Sequence, residues 1–299
     1  MLGVLASIVV SNTMATYIPE ISASKAAGFI GLHKYQTAHE IAYELLQKHA
    51  PTKAKIAEIE RLNHRRSFAQ VVNEVLRDGP IQDCVYSGIR AAQSTSNVLG
   101  VLEEVEEQAK LILELRRDSF TPEVRALIAS EVRGKVSKQR GLNNENKILD
   151  QYETTRDVKV TERNTKTLKK DFGVFKLVGR TDGFVASENR IVDSKDRTRF
   201  WPQVPLYDEI QLRCYMAMSG ATESELVERF PDGQVRHTKF MNDPEKWLAL
   251  QTAMERAAEK LRVATEDDEE LVRIVYANTV CTQTNGGSPP RRRASGMDI

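Results

Sequence analysis

The stretch IVDSKDRTRF, residues 191–200, governs the reading of this chain. As a strand with a side-chain period of two, it sends Ile191, Asp193 and Lys195 to one face, so an acid and a lysine stand beside a buried isoleucine. Opposite charges at two inward positions have two explanations: a structural ion pair, or a metal site whose lysine works on a phosphate. The neighbouring sequence weighs between them.

Upstream, GLNNENKILDQYE reads as a helix from residue 141, DVKVTE as strand-like, RNTKTLKK as a polar basic stretch and FGVFKLVGRTDGFVA as strand, with a turn over SENR leading into IVDSK. Downstream, the loop DRTRFWPQVP precedes a helix over LYDEIQLRCYMAMSG and a strand over ESELVERF. The order is helix, three strands, helix, strand. A closing helix begins at Asp243-Pro244, and residues from Cys281 onward, rich in Gly, Pro, Ser and Arg, read as a disordered tail. Near the start, ISASKAAGFIGLHKYQTAHEIAYELLQKHAP reads as a short helix, a break at Gly31 and an amphipathic helix stopped before Pro51. From Thr52 to Ala129 the periodicity is helical, with Leu99, Leu102, Val105, Ala109 and Ile112 recurring at steps of three and four.

Within this frame, polar groups occupy positions where the pattern calls for apolar ones. Glu145 shares a helix stripe with Leu142, Leu149 and Tyr152. Asp182 lies between Gly179 and Gly183, where thin backbone lets a partner approach. Gln211 sits on the face formed by Tyr207, Ile210, Cys214, Tyr215 and Met218, with Tyr215 one turn later. Each has a plainer reading alone: a boundary acid, a turn residue, a core amide bonded to backbone. Together, three carboxylates and a lysine around one cavity call for a hard cation, Mg²⁺ or Mn²⁺, and the lysine then holds a phosphate oxygen or an attacking water. This pattern points to metal-assisted phosphodiester hydrolysis.

Composition is compatible and removes other classes. With 299 residues, 40% hydrophobic and 28% charged, the chain has ample material for a folded core. Its net charge of +1 means that a nucleic-acid partner must be met by a local basic surface, for which residues 64–66, 163–170 and 195–201 are candidates. The three cysteines are too few for a four-cysteine cluster and point to a reducing, intracellular compartment. The apolar segment MLGVLASIVV is too short to span a bilayer and is read as a helix or strand packing on the fold, so no membrane partner is expected.

The ordered set RGLNNE, GRTDGF, IVDSK and QLRCY resembles the PD-(D/E)XK nuclease superfamily, and within it the phage lambda exonuclease-like branch, also called YqaJ viral recombinases. The matching positions are Gly141 and Glu145, Asp182 and Gly183, Asp193 and Lys195, and Gln211 and Tyr215, and the opening ISASKAAGFIGLHKY is also similar to that branch. The resemblance implies an α+β fold: a restriction-endonuclease-like αβββαβ core with a mixed central sheet flanked by helices, plus a largely helical N-terminal region. It implies that Asp182, Asp193, the carbonyl of Ser194 and Glu145 hold Mg²⁺, with Mn²⁺ able to substitute, that Lys195 orients the water, and that Gln211 positions the lysine or a phosphate. Ser24 matches a serine that receives a terminal 5′ phosphate, although no arginine precedes it here. With Tyr215, Arg180, Arg197 and Arg199, it completes the expected DNA-contact set. Trp201 is expected in the core, with stacking on an unpaired base as the alternative.

The implied function is a Mg²⁺-dependent, 5′-to-3′ exonuclease on double-stranded DNA in viral or phage-type recombination or replication, with a single-strand annealing protein and further copies of the chain as partners, acting inside the cell, in the cytoplasm or nucleus of a host cell if the chain is viral. The alternatives are an endonuclease of restriction or repair type, a nucleic-acid-binding module without catalysis, and a viral scaffolding protein. The expected division is N-terminal helices over 1–50, a helical insertion or clamp over 51–138, the nuclease core with its closing helix over 139–265, and a C-terminal extension over 266–299.

Overall fold

A strand whose two faces are both covered must be apolar, or paired, at every position. Strand β6, Arg190–Asp196, meets that condition: Arg190, Ile191, Val192, Asp193 and Ser194 are all buried. The computed structural model describes residues 17–115 and 120–281, and places β6 inside a four-stranded mixed sheet. The expectations for residues 1–10 and for the tail beyond Cys281 lie outside the described residues.

In that sheet β6 runs antiparallel to β5, Gly183–Val185, and parallel to β7, Glu223–Arg229, which pairs antiparallel with β8, Val235–Met241. The parallel pair is joined by helix α8, Leu206–Ser219, the crossover that parallel strands require. A second, three-stranded sheet has β4, Lys176–Arg180, at its centre, flanked by β3, Thr167–Asp171, and by β1, Glu20–Ser22. Strands β4 and β5 are one line of chain interrupted at Thr181 and Asp182, so the two sheets meet at that interruption. The fold is a mixed α/β structure, as the sequence led us to expect.

Two cores press on the four-stranded sheet. Ile191 and Leu226 join the main cluster with Ile210, Leu212 and Cys214 of α8, and with Ala26 and Phe29 of the short α1, Ala26–Phe29. Val192 and Val227 face the other way, onto Ile148, Leu149 and Tyr152 of helix α7, Pro122–Arg156. Thus Asp193 and Lys195 share the α8 side, the alternation expected of a period of two.

Several expectations are corrected. The helix expected from Gly141 is the second half of α7, which starts at Pro122 behind the capping hydroxyl of Thr121 and runs 35 residues through Gly134 and Gly141. A helical glycine costs about 1 kcal/mol against alanine. Burial of Ile128, Val132 and Val136 against helices α5, Gly79–Gln93, and α6, Val98–Glu114, outweighs that penalty. The boundary drawn between 138 and 139 therefore falls inside a helix. The amphipathic helix α2, Ala38–Leu46, ends before Pro51 as expected, but Pro51 then opens a further helix, α3, Ala50–Leu62, followed by β2, Arg65–Ser67, and α4, Phe68–Val75. The opening of the stretch from Ile21 read as a short helix instead forms the end of β1 and a 3-10 turn over Ala23–Lys25. DVKVTE forms only a bridge from Thr161 to Phe184, whereas the basic stretch RNTKTLKK supplies β3. On α6 the buried stripe is Val98, Leu102, Val105, Ala109 and Leu113, so Leu99 and Ile112 fall to its margins. Strand β8 and a helix over Asp268–Asn278 were not expected.

Strand β7 buries two glutamates completely, on opposite faces. Glu225 accepts from Tyr152 at 2.8 Å, Arg190 at 2.8 Å and Arg156 at 3.0 Å. Burial works to raise its carboxyl, but the Tyr152 hydroxyl and the charges of Arg190 and Arg156 outweigh this and hold it below the usual range. A depressed carboxyl contributes stability that is present above the unfolded-state value of about 4.3 and is lost as pH falls through the lower folded value. Glu225→Gln should therefore lower stability at neutral pH and flatten its decline in acid, read by urea unfolding across the acid range; parallel curves for the two proteins would refute this.

Candidate active site

The interruption between β4 and β5 sets the geometry. Gly183 is forced there, because a Cβ on it would lie 2.2 Å from Val160 Cγ1. Gly179 is forced too: its Cβ would lie 2.6 Å from the Tyr215 ring, so α8 can pass close beneath β4. Between them, Asp182 turns toward β6, where its Oδ2 accepts from the Ser194 backbone N–H at 2.8 Å and the Ser194 hydroxyl at 3.1 Å. The aspartate thereby bridges the break to the central strand.

One residue away on β6, Asp193 is 1% exposed. Its Oδ2 lies 2.6 Å from Lys195 Nζ, and its Oδ1 accepts from Gln211 Nε2 at 3.3 Å. Gln211 also donates to the Tyr215 hydroxyl at 2.9 Å, and that hydroxyl donates to the Arg180 carbonyl at 2.9 Å. A continuous chain of hydrogen bonds thus runs from β4 through α8 to β6. The spacing of four residues between Gln211 and Tyr215 places both on one helix face, as expected, but the DNA contact expected of Tyr215 is corrected: the residue is buried and its hydroxyl is spent on the β4 backbone.

Electrostatics concentrates here. Burial pushes the Asp193 carboxyl up to about 7, against the pull of Lys195 and with the help of the Asp182 charge. Asp182 is raised by burial and by Glu145, with Lys195 opposing. Burial disfavours the charge on Lys195, but Asp193, Asp182 and Asp208 outweigh it and keep the ammonium firmly protonated. Two carboxylates confined around one fixed cation form a site built for charge.

The other expected residues fall less uniformly. Glu145 is half-buried at the end of its stripe, accepts a hydrogen bond from Asn164, and acts on Asp182 through its charge. Leu142, expected on that stripe, is 52% exposed; the buried positions before Glu145 are Arg140 and Asn144, both bonded to Asp196. Ser24 is exposed and its hydroxyl lies 3.3 Å from that of Ser22, on the 3-10 turn whose Ala23 packs near Gly179. The side chain of Arg180 is exposed. Arg199 is also exposed and lies over the Trp201 ring at 4.5 Å. Arg197 is corrected: its guanidinium is engaged inside the fold, 2.6 Å from Asp208 and 2.7 Å from the fully buried Glu228. It is not free for phosphate.

Two contributors escaped the sequence reading. Asp208 is 3% exposed beside Lys195, yet an acid in the first turn of a helix looks like an ordinary complement to the helix dipole. The Ser194 hydroxyl, a clamp on Asp182, carries no local signal beyond its place in the D-S-K triplet.

Whether this set suits a divalent metal follows from its chemistry. The donors are carboxylate oxygens with a main-chain carbonyl at Ser194 between Asp193 and Lys195, the hard set that Mg²⁺ or Mn²⁺ takes. Among the described residues no three His, Cys, Asp or Glu side chains stand at metal-binding spacing. The donors that would suit such an ion are therefore two aspartates and a carbonyl, and Glu145, expected as a third carboxylate ligand, does not complete a group of three with them.

No protein-family model matches this chain, and no curated protein does. Among solved structures, the chain is similar to a phage-related exonuclease from Haemophilus somnus 129PT, with 15% identity over 42% of this chain and 70% of that one, at a TM-score of 0.35. It is similar to the alkaline exonuclease LHK-Exo from Laribacter hongkongensis, with 16% identity over 53% and 88% of the two chains and a TM-score of 0.38. LHK-Exo in complex with dAMP gives 16%, 60%, 88% and 0.36.

Proposed function

We propose that this chain is a Mg²⁺-dependent deoxyribonuclease of the PD-(D/E)XK kind, lambda exonuclease-like, degrading double-stranded DNA from its ends. The observation that carries the reading is the meeting of Asp182, Asp193, Lys195 and Gln211, drawn from a strand interruption, a central strand and a crossover helix, with Asp193 bonded to Lys195 and Gln211 and Asp182 bonded to the intervening Ser194. A purely structural ion pair would need one acid and one base. Here a second aspartate, a glutamine and a tyrosine converge on the same point at the cost of carboxylates raised by confinement.

Asp182, Asp193 and the Ser194 carbonyl would hold the ion, which when bound supplies Lewis acidity at the phosphate and favours the ionised form of an attacking water. Lys195 stays protonated in this field, so it acts as a fixed cation that orients the water and offsets charge developing on phosphorus. Gln211 holds Asp193 in place, and Tyr215 holds Gln211 against the β4 backbone. The Ser194 clamp fixes Asp182.

The test is a gel time course on linear double-stranded DNA labelled at either end, with and without a 5′ phosphate, beside closed circular DNA. Progressive loss from 5′ ends with circles spared supports the exonuclease; cutting of circles would replace it with an endonuclease. Separately, Asp182→Asn should weaken Mg²⁺ binding in calorimetry by more than the roughly 10- to 100-fold that loss of an outer-shell partner costs. Unchanged affinity would remove Asp182 from the ligand set.

A further inference from the structure

The face of α8 that carries Gln211 and Tyr215 continues one turn toward its N-terminus to Tyr207, four residues before Gln211. Tyr207 lies within the field of Asp208, Arg197, Tyr35 and Lys195, which places it at the edge of the candidate site. Against it packs His33 in a tilted arrangement, with ring centroids 4.4 Å apart and planes at 32°. Tyr35 follows, 6.4 Å from Tyr207 and 6.1 Å from His33.

The His33 ring is fixed in place. Its Nδ1 accepts from the backbone N–H groups of Tyr35 and Gln36 at 3.1 and 3.0 Å, so the loop is folded around it with the ring as acceptor. Lys34 joins this loop to the one after β6: its Nζ lies 5.6 Å from the Tyr35 ring and 5.8 Å from the Trp201 ring, and Arg199 covers Trp201 at 4.5 Å. The Trp201 carbonyl is held in turn by Arg236 at 2.6 Å. Tyr35 is 57% exposed and Phe200 60% exposed. Flat rings interleaved with cations, leading from solvent to a fixed lysine, match the chemistry of a strand whose bases stack while its phosphates pair with positive charge.

We propose that His33, Tyr35 and Tyr207, joined through Lys34 to the Arg199–Trp201 pair, form a platform that takes a short run of unpaired nucleotides from a strand end and delivers the adjoining phosphodiester to Lys195. This rests on the nuclease reading and extends it to substrate form: an end carrying a single-stranded overhang is bound in preference to a blunt end.

The test uses the full chain in EDTA, so that no cleavage intervenes, with duplexes bearing 2-aminopurine in an overhang or at an internal position of a blunt duplex. The overhang probe should be quenched on binding, and Tyr35→Ala should weaken overhang binding about ten-fold while blunt-duplex binding changes little. Tyr35→Phe, which keeps the ring, should restore quenching and affinity. Equal overhang binding by wild type and Tyr35→Ala would overturn the platform, as would a Tyr35→Phe variant as weak as Tyr35→Ala. If the wild type degrades DNA in Mg²⁺ yet does not distinguish overhang from blunt ends, only this inference falls. A wild type that neither binds nor degrades DNA removes the nuclease reading beneath it as well.

Discussion

Lys195→Ala should lower DNA cleavage by about 10²- to 10³-fold, the usual loss when one fixed group that meets transition-state charge is removed. The lysine lies 2.6 Å from Asp193 and is kept protonated by three aspartates, so its charge is present at every pH near neutrality. Its removal takes away a competitor for the Asp193 carboxylate, hence Mg²⁺ and DNA binding should both be retained. The comparison is therefore of turnover at saturating substrate, with calorimetry and a filter-binding assay alongside. Cleavage within a few-fold of wild type would show that Lys195 serves only as the counter-ion of a buried acid.

Arg197→Met should act on folding and leave DNA contacts alone. The guanidinium joins Asp208, 3% exposed, to Glu228, fully buried. Arg236 also reaches Glu228, so that carboxylate keeps one partner, but Asp208 has no other cation at ion-pair distance among the described residues. Removing one member of a buried ionic group costs about 3–5 kcal/mol, because the charges left behind are desolvated and unpaired. A large fall in the denaturant midpoint is expected, with DNA affinity of the folded variant close to wild type. Unchanged stability together with lost DNA affinity would return Arg197 to the phosphate-binding set that its place in a basic loop suggested.

The contrast between these two residues, two positions apart, shows what a sequence can disclose. Lys195 was legible because period-two alternation places it beside Asp193 and Ile191, and both the strand and its alternation hold. Gln211 and Tyr215 were legible by the same kind of local rule, a spacing of four on one helix. Asp182 was marked by its flanking glycines, and both are forced by close contacts with Val160 and Tyr215. Arg197 was misread because its partners lie 11 and 31 residues away, on elements whose meeting no local pattern records. The same holds for Asp196, whose partner Arg140 also reaches the Ala92 carbonyl and so ties the helical region to the sheet.

Element boundaries failed for a related reason. Gly141 marks a motif but not a helix start, since α7 is held through that point by packing on α5 and α6. Glu145 was placed on an inward stripe that includes Leu142, yet the helix turns its polar side inward before it, to bond Asp196. Strand β3 was hidden because Leu168 alone faces the core among lysines and acids. Short, one-sided strands leave little hydrophobic signal for a pattern to find.

The most direct measurement of the central assignment is release of acid-soluble nucleotides from linear double-stranded DNA in Mg²⁺, made on wild type and on Asp193→Asn purified side by side, with EDTA controls. Release by the wild type, stopped by EDTA and absent from the variant, is the expected result. No release by the wild type, or equal release by Asp193→Asn, would contradict the assignment of these residues to metal-dependent phosphodiester hydrolysis.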